Sequence, residues 1–205
     1  MFDLELAAFT IDRPPLAQAL AQVRYPLVGQ FTTLEGVAPL QAELIDDFPY
    51  MEHVAQTTGD GIQADVRAAV EYLRSPAGGS CSSVFTVGFC FGGRNSWLAA
   101  ASGHGLAGAV GFYGRPGERD GAPGPIQRAG EIEAPILALQ AGADQNITAE
   151  DNFGFEAALE AAGVEHDLHT YEGAPHSFFD RKQEEFAAAS EDAWARVLAF
   201  IAAHS

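Results

Sequence analysis

Gly88-Phe89-Cys90-Phe91-Gly92-Gly93 joins two stretches of different character. Residues 83–89 (SVFTVGF) are a short apolar run, and residues 91–102 have helical composition stopped by Gly103 and Gly105. The first reads as a buried strand and the second as a helix. A Gly-x-Cys-x-Gly segment between strand and helix matches a nucleophile elbow. Its logic is steric and electrostatic. The central residue takes a strained turn, so its side chain projects above the sheet, while flanking glycines let the backbone pass without a Cβ clash. The helix that starts there turns its amides and dipole toward developing negative charge and favours a thiolate.

The same rhythm continues on both sides of the elbow. Residues 60–74 set Ile62, Val66, Ala69, Val70 and Leu73 on one helical stripe, ended by Ser75-Pro76-Ala77-Gly78-Gly79. Residues 106–113 (LAGAVGFY) and 135–140 (PILALQ) read as strands, separated by a loop over 114–134. Residues 148–162 read as a helix that Thr148 can cap, with Asp151 three residues on. Residues 164–171 alternate as a strand, and 183–203 form a last amphipathic helix. This order predicts an α/β fold, a mostly parallel sheet with helices on both faces. Before residue 59 the pattern is weaker. Residues 4–11 and 23–32 can be strands with a helix over 15–23, and 33–58 read as a long excursion.

Composition narrows the function. The chain has 205 residues, 47% hydrophobic, which suits one domain over 1–205 with a real core. Its formal charge is −17, from 28 acidic and 11 basic side chains, so nucleic acid and anionic membrane are not expected partners. No apolar run approaches the ~20 residues of a membrane helix. Cys81 and Cys90 flank a predicted strand, roughly 25–30 Å apart at about 3.3 Å per residue, too far to bridge. Free thiols and an acidic N-terminus lead to the expectation of a cytoplasmic protein.

Two residues give the elbow partners. Asp144 follows the strand at 135–140, and His176 follows the strand at 164–171. Both fall at the edge of a parallel sheet that also carries the elbow, where ligands of such sheets bind. Nucleophile, acid and histidine follow in the chain order of α/β-hydrolases. Cys90, Asp144 and His176 are therefore the candidate catalytic residues. Glu150 and Asp151 would fall inside the next helix, and Asp144 could equally cap a turn. His166 and His169, three apart in a strand, point to opposite faces. No spacing of Cys, His, Asp and Glu suggests a metal site, and no glycine loop suggests a phosphate cradle.

These segments resemble the dienelactone hydrolase family. The likeness rests on Gly88-Phe89-Cys90-Phe91-Gly92-Gly93, Gly111-Phe112-Tyr113-Gly114, Gly142-Ala143-Asp144 and Gly173-Ala174-Pro175-His176-Ser177-Phe178. It covers roughly residues 50–205, and residues 1–49 depart from the family pattern. The resemblance implies a Cys-Asp-His triad acting on a small lactone or activated ester, with no cofactor. It also implies substrate-binding arginines, for which Arg181 is the candidate here, against the plainer reading of a solvated residue at the start of the last helix. The family's earlier loop, which supplies an oxyanion-hole amide, has no counterpart among residues 1–49. A catalytically impaired hydrolase-like domain therefore stands as the alternative, and a redox role would need a resolving thiol.

On the leading reading, His176 accepts the Cys90 proton, Asp144 orients the imidazole, and the backbone N–H of Phe91 donates to the oxyanion. Phe91, Trp97, Phe112, Tyr113, Phe178 and Phe179 flank the site. Tyr113 and Phe178 are the candidates for substrate contact, against the plainer reading of all six as core.

Overall fold

The computed structural model describes residues 57–180 and 182–205. The expectations for residues 1–56, and Arg181 as a substrate contact, lie outside the described residues. Four strands, β1 (Phe85–Phe89), β2 (Gly108–Phe112), β3 (Ile136–Ala141) and β4 (His166–Tyr171), form one parallel sheet in sequential order. Helices α1 (Gly59–Arg74), α2 (Phe91–Ala100), α3 (Ala149–Ala162) and α4 (Ala187–His204) connect and cover it. This is the α/β architecture that the alternation of elements predicts.

The two faces of the sheet follow from strand alternation. Ala109, Ile136 and Ala138 point to one side, where Val66 and Val70 of α1, Trp97 and Ala99 of α2, and Phe155 and Leu159 of α3 close a core. Val110, Phe112, Leu137 and Leu139 point to the other, against Ala193 and Val197 of α4. Trp97 lies flat on β2 because Gly111 has no side chain. A Cβ there would sit 2.4 Å from the indole. The indole N–H donates to Leu137 O at 3.2 Å, so the ring is buried without losing its hydrogen bond.

The ends of the elements follow local chemistry. Thr58 caps α1 by accepting from Gly61 N–H at 3.1 Å. Thr148 and Asp151 form a reciprocal capping box on α3, which Gly163 ends in the left-handed region. The last helix begins at Ala187, four residues later than its periodicity predicts. Residues 182–186 are turns, and Phe186 leaves helical geometry (φ −114°, ψ 39°) while packing against the second core. Side-chain burial overrides helix propensity there.

Candidate active site

The elbow brings its cysteine to the sheet edge at a backbone cost. Cys90 follows β1 and caps the start of α2 with φ 54° and ψ −114°, a region L-residues seldom occupy. Its N–H donates to Phe112 O at 2.9 Å, which ties the turn to β2. The glycine demand is specific. A Cβ on Gly88 would lie 2.0 Å from Gly92 O, and one on Gly93 would lie 2.6 Å from Phe112 O. Gly88→Ala is therefore expected to cost about 3 kcal/mol by overpacking, read as a lowered midpoint in thermal melting. Melting at the wild-type midpoint would show that the turn can relax.

Asp144 sits in the turn after β3, and its two carboxylate oxygens do different work. Oδ1 accepts from the N–H groups of Asn146 at 2.8 Å and Ile147 at 3.3 Å. Oδ2 accepts from His176 Nδ1–H at 2.5 Å. One oxygen thus caps the turn and the other bonds the imidazole. The Asp144 side chain is 1% exposed and that of His176 29% exposed. Ala143 N–H donates to Ala174 O and Gly142 N–H to Tyr171 O, both at 2.9 Å, so the acid loop and the histidine loop are tied together.

The charges reinforce each other. Burial alone would lower the imidazole of His176, but the Asp144 hydrogen bond and the neighbouring Cys90 outweigh it and raise the imidazole to about 9. Burial would raise the Asp144 carboxyl. The His176 hydrogen bond, the Asn146 N–H, the imidazole charge and the Ile147 N–H together hold it below its usual range. Nε2 of His176 is buried and makes no hydrogen bond of good geometry, yet the Cys90 side chain is near enough to raise the ring. The Cys90 thiol is thus a neighbour of Nε2 rather than a formed hydrogen-bond partner.

The aromatic candidates divide. Tyr113 and Phe178 are fully buried and present no surface to a ligand as placed. The Tyr113 ring lies 4.9 Å from His176, and Phe178 backs it at 5.6 Å within the second core. Tyr113 (φ 35°) and Ser177 (φ 64°) are also strained, so three unusual backbones surround the imidazole. Phe91 is the first residue of α2, where a helix leaves its amides without intrahelical acceptors. Trp97 lies in the first core and Phe112 in the second, with Phe179 packed against the second.

Arg94 escaped the sequence reading. It is buried in the first turns of α2, and its guanidinium donates to the carbonyls of Arg115, Gly117, Ala122 and Pro123. The available signal was a cation near the start of an apolar helix with no acidic residue three or four positions away. Gln140 and Asn152 are a second buried polar pair. Gln140 Nε2 donates to Gly114 O at 3.1 Å and Asn152 Oδ1 at 2.8 Å, beneath the same loop. Among the described residues, no group of three or more His, Cys, Asp and Glu could hold a metal ion. No described helix is long and apolar enough to cross a membrane.

Residues 41–205 match the model of the dienelactone hydrolase family, a start somewhat earlier than the elbow-centred resemblance over 50–205. A "Putative carboxymethylenebutenolidase" of Methylorubrum extorquens is 29% identical over 87% of this chain and 60% of its own length. A protein of the same name from Escherichia coli K12 is 34% identical over 71% of this chain and 55% of its own. The chain thus spans only 55 to 60% of these two relatives. The crystal structure of a "Putative Dienelactone Hydrolase" from Klebsiella pneumoniae superposes with TM-score 0.66 at 29% identity, covering 73% of this chain and 63% of that one.

Proposed function

The chain belongs to the dienelactone hydrolase family, and from that premise we propose that it hydrolyses a small ester or lactone through Cys90, with His176 and Asp144 completing a triad. The observation that carries this reading is the His176–Asp144 hydrogen bond with the imidazole beside a cysteine on a strained elbow. The names of the relatives support the substrate class.

The steps follow from the arrangement. The Cys90 proton passes to His176, and the thiolate forms a bond to the carbonyl carbon, moving the carbonyl electron pair onto oxygen. The Phe91 N–H faces that oxyanion at the helix start. Collapse breaks the C–O bond of the ester, and the imidazolium returns its proton to the leaving alkoxide. Water, deprotonated by His176, then cleaves the thioester. Asp144 keeps Nδ1 protonated throughout and stabilises the imidazolium. The two unbridged cysteines fit a reducing compartment and hence a cytoplasmic site of action.

The test is to mix the protein with small lactones and aryl esters, quench during turnover and weigh the tryptic peptides. An acyl adduct on the Cys90 peptide that decays with product release is expected. Turnover with the acyl group on another side chain would replace the nucleophile. No turnover and no adduct across the panel would favour the impaired-domain alternative.

A further inference from the structure

A buried arginine without a carboxylate partner is costly unless its donors are all used. Arg94 uses both terminal nitrogens of its guanidinium on backbone. Nη1 donates to Arg115 O at 3.1 Å and to Gly117 O, and Nη2 to Ala122 O at 3.3 Å and Pro123 O at 3.1 Å. One side chain of the elbow helix therefore gathers the loop that leaves β2. That loop grips the acid turn in its own right. The guanidinium of Arg115 donates to Asn146 O at 2.8 Å. Asn146 is thus held by both its peptide groups, its N–H on Asp144 Oδ1 and its carbonyl under Arg115.

We propose that Arg94 is a positioning residue. By holding the 115–123 loop it places Arg115, which pins Asn146 and so sets Asp144 against His176. This rests on the reading of Asp144 and His176 as the working pair, and it adds a physical link from the nucleophile's helix to the acid's turn. The Arg94 side chain touches none of the reacting groups and acts through this chain of contacts. The planar fork suits the task, since a lysine ammonium is a single point that cannot span four carbonyls.

The experiment follows the His176 imidazole by NMR titration in the full chain, alongside kcat and KM on an aryl ester. Arg115→Ala removes an exposed side chain, so the fold is spared. Its expected effect is a His176 titration displaced from about 9 toward 6.5. A fall in kcat of about 10- to 100-fold with little change in KM should accompany it, the scale on which a misplaced group is felt. Arg115→Lys, which can still reach Asn146 O, should recover most of both. Arg94→Lys should displace the titration as Arg115→Ala does, and the double variant should go no further, because residues in one chain of contacts are not additive. A His176 titration unmoved by Arg115→Ala, or independent displacements that add in the double variant, would overturn the proposal. The NMR readout needs no substrate. A failure of the hydrolase reading, seen as Cys90→Ala retaining turnover, is therefore told apart from a failure of this link.

Discussion

Cys90→Ala should lose about a millionfold in kcat on an activated aryl ester, the scale reached when the nucleophile of a triad is deleted. What turnover survives would come from binding and from the amides at the start of α2, acting on water instead of sulfur. The fold should be untouched. Alanine meets the same unfavourable φ of 54° that cysteine meets, and the partly buried thiol is small. Superimposable thermal melts with turnover gone would assign the loss to chemistry. Turnover retained within tenfold of wild type would remove Cys90 from the mechanism.

Asp144→Asn should lower kcat by about 10⁴-fold, the loss seen when a triad carboxylate becomes an amide. The asparagine carbonyl can still accept from Asn146 N–H, so the turn survives, but the charge on Oδ2 facing Nδ1 is gone. The pH profile carries the sharper signature. An imidazolium must be present to protonate the leaving group, so wild-type activity should fall as pH rises through about 9. Without Asp144 the imidazole loses its largest raising partner, Cys90 alone opposes burial, and that alkaline limb should move from about 9 toward 6.5. The sign for stability agrees. The raised His176 contributes fully below its ordinary 6.5 and fades as pH rises through about 9. The lowered Asp144 contributes above its ordinary 3.8 and is lost as pH falls through its folded value. An alkaline limb that stays near 9 in the variant would show that Asp144 does not control the imidazole.

Much of this arrangement was legible along the chain because each piece is local. A glycine pair around Cys90, a Thr-x-x-Asp cap and apolar runs of strand length are short-range signals, and the four strands and four α-helices from α1 onward lie within a few residues of their expected bounds, while the short 3-10 turn Ala129–Glu131 falls in the stretch expected as loop. Asp144 and His176 were legible for another reason: parallel strands deliver their exit loops to one edge. Arg94 was not legible, because its partners are carbonyls 21 to 29 residues away in a loop without periodicity. Backbone acceptors leave no mark in residue identity. Tyr113 and Phe178 were ambiguous for the same reason. An aromatic beside a strand end can face a ligand or a neighbour, and only tertiary packing, Tyr113 on His176 and Phe178 on Tyr113 and Tyr171, decides between them. The start of α4 was misjudged because burial of Phe186 is a tertiary demand.

Glycine would rest more comfortably than cysteine at the elbow, since a backbone with φ 54° and ψ −114° costs a side-chain-bearing residue about 1–3 kcal/mol. If Cys90 is the nucleophile we propose, selection for durability and selection for turnover pull against each other at this one position. On that proposal, drift or engineering guided by robustness alone would tend to erase the thiol first and leave a sturdier protein with an inert sheet edge.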